Sequence, residues 1–198
     1  MRKTGFLLPL MVVVLLPTFG ATLSADSQNI TTDQLALLAL KSHVSHDPGN
    51  FLATGWSTST SVCNWIGVTC GSRHHRVTAL NLSGMGLVGT IQPHLGNLSF
   101  LAWLDICQNS FHGSLPIELA NLHQLKYLNF DNNSFRGEIP STIGNLSKLE
   151  WLILNGNDFK GQIPTAIANL SNLEILLLDF NQLSDCIPFS IFNMSSFV

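Results

Sequence analysis

Apolar and polar positions recur from Val77 with a period of 24 residues, without a gap. The units read "VTALNLSGMGLVGTIQPHLGNLSF", "LAWLDICQNSFHGSLPIELANLHQ", "LKYLNFDNNSFRGEIPSTIGNLSK", "LEWLILNGNDFKGQIPTAIANLSN" and "LEILLLDFNQLSDCIPFSIFNMSS". In the third unit Leu125, Leu128 and Phe130 alternate with polar neighbours, the period of a strand with one buried face. Leu128 and Phe130 are predicted to point inward, and Tyr127, Asn129 and Asp131 outward. Asn133 follows, matched by Asn109, Asn157 and Asn181. A buried Asn there can bond the turn of its own and the adjacent coil, forming a ladder. Phe135, Ile139, Ile143 and Leu146 fill the rest of the interior. Gly137 permits unusual backbone geometry, and Pro140 ends local pairing. No unit buries its apolar edge alone, so the units must stack.

Two units depart from the pattern. Met85 replaces the ladder Asn and Gln92 the Pro in the first, which is expected to bend differently; Asp185 replaces the Gly in the fifth. Phe197 and Val198 occupy the first positions of a sixth unit. The sequence is therefore expected to stop inside an array, with Leu176, Leu178, Ile187 and Ile191 facing a missing neighbour.

Upstream the period changes. "TTDQLALLALKSHV" predicts a helix with Thr32 or Asp33 as N-cap and Leu37, Leu40 and Val44 on one face, stopped by Asp47 to Gly49. Residues 1–24 read as a secretory leader: Arg2 and Lys3, then an apolar stretch from Gly5 to Gly20 broken by Pro9 and Pro17, then small residues. Cleavage is expected after Ser24, with Ala25 the alternative. The stretch is too short to span a bilayer.

The third unit resembles the plant-specific leucine-rich repeat, LxxLxLxxNxLxGxIPxxLxxLxx, and the resemblance covers residues 77–198. "CNWIGVTC" resembles the CxWxGVxC of that family's N-terminal cap. The resemblance implies an α/β fold: a right-handed leucine-rich-repeat solenoid with a parallel concave sheet, a 3₁₀ or irregular convex side, and a disulfide-stapled helical cap. The expected domains are the leader, a cap over 25–76, repeats over 77–196 and the start of another at 197–198. In an oxidising compartment Cys63 and Cys70 are expected to form the staple beside Trp65. A metal site is the weaker alternative, since two thiolates without partners make poor ligands. Cys107 and Cys186, three coils apart, lie about 14 Å from each other at strand spacing, beyond disulfide reach, and are expected to be free or paired outside this chain.

Composition narrows the function. Only 11% of residues are charged, and loss of Arg2 and Lys3 with the leader takes the net charge from −3 by two units to −5. No basic stripe exists for a nucleic acid. The carboxylates Glu118, Glu138, Glu150 and Glu174 come one per coil without a partnering acid or His, and no nucleophile elbow, phosphate loop or zinc motif is present. His74 and His75 read as a solvated turn rather than a metal site. No catalytic residue, metal or cofactor is expected.

The outward strand positions carry the candidate site. The third reads Ala79, Trp103, Tyr127, Trp151, Ile175; the fifth Asn81, Asp105, Asn129, Ile153, Leu177; the seventh Ser83, Cys107, Asp131, Asn155, Asp179. The candidate ligand contacts are Trp103, Asp105, Tyr127, Asn129, Asp131, Trp151, Asn155 and Asp179. Two readings stand: flat rings that bind a peptide, protein or glycan at low entropic cost, or rings that stack across strands and stiffen the sheet. Sequons at Asn29, Asn81, Asn97, Asn132, Asn145, Asn169 and Asn193 are glycosylation candidates. Asn81 and Asn132 fall on or near the concave side, where a glycan obstructs binding.

The chain resembles the start of the extracellular region of plant leucine-rich-repeat receptor kinases, and "IPFSIFNMSS" the members that perceive microbial patterns. That implies a cell-surface ligand-recognition module with a co-receptor ectodomain as partner, held at the membrane only through a C-terminal part missing here. A membrane helix and kinase, known from the family, are not in this sequence. The alternatives are a secreted inhibitor of microbial cell-wall enzymes, similar to the polygalacturonase-inhibiting proteins, and a soluble co-receptor-like adaptor.

Overall fold

The computed structural model describes residues 23–184 and 186–194, with side chains from Ile30 onward. The expected leader lies almost wholly outside these residues, as do Asp185, Phe197 and Val198.

The cap differs from its prediction in three places. Helix α1 spans Leu23–Ser42, so Asp33 lies inside it rather than at its N-cap. Asp33 is instead buried, and accepts from Arg76 Nε at 2.8 Å, Arg76 Nη2 at 2.6 Å and the Val77 backbone N–H at 2.9 Å. A carboxylate inside a helix is tolerated there because three donors from the next segment satisfy it. Leu37 and Leu40 are buried as expected. Val44, however, leaves the helix for a strand, β1 (Val44–His46). Asp47 does not stop α1; its carboxylate accepts from the N–H groups of Phe51, Leu52 and Ala53 and so caps the next helix, α2 (Phe51–Gly55).

The second cap strand is β2 (Val68–Cys70). Each coil then supplies two strands. They are β3 (Val77–Asn81) and β4 (Val88–Thr90), β5 (Trp103–Asp105) and β6 (Ser110–Gly113), β7 (Tyr127–Asn129) and β8 (Ser134–Gly137), β9 (Trp151–Ile153) and β10 (Asp158–Gln162), β11 (Ile175–Leu177) and β12 (Gln182–Ser184). Among the described residues the odd strands from β3 form the concave sheet, in the order β11-β9-β7-β5-β3, closed by β2. The even strands from β4 form a second parallel sheet on the flank, closed by β1. Both cap strands pair antiparallel, β1 with β4 and β2 with β3. The cap thus covers the first edge of each sheet, the edge otherwise open to wrong pairing.

The flank sheet was not expected from the sequence pattern. Its signal is a short alternation, Ser134 and Arg136 exposed around a buried Phe135, too brief to separate from a turn. The 3₁₀ turns Pro93–Asn97, Ile117–Asn121, Ser141–Asn145 and Thr165–Asn169 form the far side. In the later three, Pro116, Pro140 and Pro164 stand just ahead of the turn. The first coil bends differently, as expected: Gly86 takes a positive φ of 66°, while Gly89 does not take the positive φ that Gly113, Gly137 and Gly161 adopt at its matching position. Its 3₁₀ turn nevertheless falls in the common place, because Pro93 enters as the first residue where its fixed φ suits a helical start.

Stacking buries Leu80, Leu104, Leu128 and Leu152 completely. Phe111, Phe135 and Phe159 form a spine, with ring centroids 6.4 and 6.2 Å apart and planes within 8°. The Asn ladder is present. Asn133 Nδ2 donates to Phe130 and Asp131 in its own coil and to Ile106 in the coil before, while its Oδ1 accepts from Phe111 N–H. Asn109, Asn157 and Asn181 repeat this in their own coils. Each ladder Asn therefore serves the preceding coil. The first coil follows the cap instead, and Met85 there packs as a partly buried apolar side chain.

In the fifth coil Leu176 and Leu178 are half-buried and Ile187 is exposed. Ile191, expected to be open, is buried. It sits in α3 (Phe189–Phe192), which lies against the turn Thr165–Asn169 of the fourth coil and finds cover there.

Candidate ligand-binding face

The concave register pairs like positions. Ala79 lies opposite Trp103, Trp103 opposite Tyr127, Tyr127 opposite Trp151, and Trp151 opposite Ile175. Because strand side chains alternate, the predicted row is real and its members are cross-strand neighbours. The rings are not equivalent. Trp103 and Tyr127 stack face to face, centroids 3.6 Å apart and planes within 5°. Trp151 stands 5.7 Å from Tyr127 and is tilted by 40°. Trp103 is 43% and Trp151 38% exposed. The row therefore stiffens the sheet at one end and opens at the other. A cleft of about 290 Å³ lies among Ala102, Trp103, Lys126, Tyr127, Glu150 and Trp151.

Sequence reasoning did not place Lys126 and Glu150 in this site. Lys126 Nζ reaches Glu150 Oε1 at 2.6 Å across the rim. Their 24-residue spacing was the available signal. The pair is solvent-exposed, so it orders the rim more than it stabilises the fold.

The fifth strand position faces outward as expected but is covered. Asp105 and Asn129 alternate with the inward Leu104, Ile106, Leu128 and Phe130, yet neighbours on the concave face leave both only 8% exposed. Their Oδ1 atoms accept from the N–H two residues on, at Cys107 (3.1 Å) and Asp131 (3.0 Å). Asn81 does the same for Ser83. A short polar side chain that satisfies its own turn lies close along the backbone, where its neighbours cover it. Asn129 Nδ2 also donates to the Tyr127 hydroxyl at 3.1 Å.

The seventh position stays accessible. Asp131 and Asn155 are joined, Asn155 Nδ2 donating to Asp131 Oδ1 at 2.6 Å, and Asn132 Nδ2 holds Asp131 Oδ2 at 2.8 Å. Asp179, on the next coil, is exposed. Cys107 sits among these carboxylates with its thiol pushed up to about 12, first by burial and then by the hydrogen bond and charge of Asp105. Tyr127 is pushed up as well, by burial first and the Asp105 charge next. Both groups stay protonated near neutral pH.

The cysteines follow expectation. Cys63 and Cys70 form a disulfide with Cα atoms 5.4 Å apart, and Cys107 and Cys186 are free. Trp65, expected beside the disulfide, is buried and stacks on Trp56. His74 joins neither a metal cluster nor solvent alone: its Nδ1 accepts from Arg76 N–H and its ring meets Phe100. Asn81, Asn97, Asn132, Asn145, Asn169 and Asn193 are all exposed. Asn29 lies in α1, its side chain outside those described. No helix among the described residues is long and apolar enough to cross a membrane.

Stacked coils, a capped edge and an aromatic concave face define a repeat solenoid of the recognition type. Residues 82–197 match the family described as a leucine-rich repeat region, and residues 30–71 the leucine rich repeat N-terminal domain. The chain belongs to the leucine-rich-repeat family. It is 49% identical over 85 residues to the LRR receptor-like serine/threonine-protein kinase EFR of Arabidopsis thaliana. That alignment covers 43% of this chain and 8% of the relative, so the chain spans a small part of that protein's length. Its coils superpose on the BIR2 ectodomain from Arabidopsis thaliana with a TM-score of 0.74 and 35% identity, covering 80% of this chain and 84% of that one. They also match the Arabidopsis receptor kinase HAESA, solved with the peptide hormone IDA and the co-receptor SERK1, at a TM-score of 0.61 and 31% identity, covering 83% of this chain and 32% of that one.

Proposed function

We propose that this chain is a non-catalytic, extracellular ligand-recognition module, the cap and first repeats of a plant receptor-kinase ectodomain, that binds a peptide through its concave face. The observation that carries the reading is the Trp103–Tyr127–Trp151 row beside an open cleft. Two large apolar rings remain more than a third exposed on a sheet face whose other large side chains are mostly covered, the pattern of a binding surface. HAESA, which shares the coil architecture, was solved with a peptide hormone and a co-receptor. A co-receptor ectodomain is accordingly the second partner. This function belongs to the secretory pathway and the cell surface, with the exposed sequons away from the concave face, Asn97, Asn145, Asn169 and Asn193, as glycan sites.

The test is a displayed random-peptide library selected on the purified chain. Selected binders are expected to lose at least about tenfold in affinity to a Trp103→Ala, Trp151→Ala double variant, the cost of two anchor residues. Circular dichroism should be unchanged, because both side chains lie outside the core. Unchanged affinity would return the row to sheet stiffening.

A further inference from the structure

We propose that Asn155–Gly156 is a deamidation site on the concave face, held closed in the folded chain by the fifth coil and opened when that coil loosens. The site stands whatever the face binds.

Asn155–Gly156 is the one Asn-Gly pair in the sequence; every other Asn precedes a residue with a side chain. Glycine leaves its backbone nitrogen unshielded, free to attack the amide carbon Cγ of the Asn before it. A C–N bond forms to Cγ, the Cγ–Nδ2 bond breaks, and Nδ2 leaves as ammonia with the proton from the Gly156 nitrogen. Water then opens the succinimide ring at either carbonyl, giving aspartate or isoaspartate. Water is consumed and ammonia released, and nothing is oxidised or reduced.

The fold itself demands this labile pair. Gly156 has a φ of 64°, but Gln108, Asn132 and Phe180 hold the matching positions at φ 54°, 51° and 51° with side chains present. What excludes a side chain at 156 is Asn132, on the coil before: a Cβ there would lie 2.6 Å from Asn132 Oδ1.

The same stacking pins the reacting groups. Asn155 O accepts from Asn132 N–H and from Asn157 Nδ2, both at 3.1 Å. Gly156 N–H donates to Asp179 O on the next coil at 3.1 Å, and the nitrogen must give up that bond before it can attack. The side chain is tied as well. Asn155 Nδ2 donates to Asp131 Oδ1 at 2.6 Å, while Oδ1 is buried without a partner, so no donor draws charge from Cγ. Attack therefore waits on a local opening that frees Gly156 N–H from the fifth coil. Asn181 keeps that coil shut: its Nδ2 donates to Asp179 O, the acceptor of Gly156 N–H, and to Leu154 O and Leu178 O, and its Oδ1 accepts from Phe159 N–H. The products cannot restore the closed arrangement. Aspartate sets a carboxylate against Asp131 in place of the Nδ2 donor, a contact between like charges. Isoaspartate adds a carbon to the main chain between two pinned groups and breaks the register of the third, fourth and fifth coils.

The test is peptide mass mapping of the full chain held at mildly alkaline pH, with and without concentrated urea. Asn121, followed by Leu122 and outside any sequon, is the internal control. In urea Asn155 is expected to convert to a pair of aspartate and isoaspartate peptides while Asn121 stays intact. In the folded chain conversion at Asn155 should be at least about tenfold slower, as for a group reached only through local opening. Asn181→Ala should speed the folded-state conversion at least about tenfold, since it strands a backbone donor and three carbonyls of the closed coil. Leu178→Ala, a half-buried side chain of the same coil, is a milder second variant expected to act in the same direction, with circular dichroism confirming that each variant is folded. No conversion at Asn155 in urea would overturn the site. Equal rates with and without urea would overturn its closure by the fold. Folded-state rates in both variants equal to the parent's would overturn the role of the fifth coil.

Discussion

Asp33→Ala is expected to unfasten the cap from the solenoid. Asp33 is 1% exposed and holds three donors: two from Arg76 and the Val77 N–H that opens β3. Arg76 is nearly as buried, reaches Ser99 Oγ at 3.3 Å and lies 4.9 Å from the Phe100 ring centroid. Truncation leaves a guanidinium without a counter-charge and a backbone donor without an acceptor, both inside the protein. Removing one partner of a buried pair costs about 3–5 kcal/mol, and the orphaned N–H falls within about 1–3 kcal/mol more. The expected loss is therefore about 4 kcal/mol or above. At about 2–4 °C per kcal/mol for a chain of this size, the melting temperature should fall by roughly 10 °C. Hydrogen exchange should localise the loss to residues 30–42 and to β3, leaving β7 and β9 protected, because each coil contacts only its neighbours. Asp33→Leu with Arg76→Met should recover most of the loss, since an apolar pair replaces a buried ion pair at little cost. A melting temperature within about 2 °C of the parent for Asp33→Ala, less than 1 kcal/mol of effect, would refute the reasoning.

Three further outcomes follow from the same structure. Cys63→Ser should cost about 2 kcal/mol, since the closed loop is short and its chain-entropy contribution small; calorimetry under non-reducing conditions checks it, and an unchanged melting temperature counts against a stapled cap. Asn157→Ala should cost at least about 2 kcal/mol, because it strands Phe135 N–H and three carbonyl groups served by one amide that is 7% exposed; urea titration measures it. Cys107 should resist alkylation at pH 8: a thiol pushed up to about 12 is about one part in ten thousand thiolate there. The sign is that its reactivity climbs about tenfold per pH unit up to that value, while exposed Cys186 serves as the comparison in peptide mass mapping.

Periodicity alone makes much of this protein legible. A repeat of 24 residues sets which side chains alternate inward, so Leu128, Phe130 and Phe135 could be placed from sequence, and so could the register of Trp103, Tyr127 and Trp151. The ladder Asn was legible for the same reason: a polar residue at a fixed point of every apolar coil has to bond the turn. Contacts between segments distant in the chain decided the rest. Asp33 reads as a helix cap until Arg76 and Val77, more than forty residues on, supply its partners. Val44 continues a helical stripe until β4 offers it a strand to pair with. Asp105 and Asn129 alternate outward by period, yet bonds to their own turns and cover from their neighbours leave little of either exposed. The tilt that separates Trp151 from the Trp103–Tyr127 stack belongs to side-chain packing, which a one-dimensional period does not encode. Local patterns fix what a residue can do with its immediate neighbours; the stacking of coils brings the other partners, and with them the cleft.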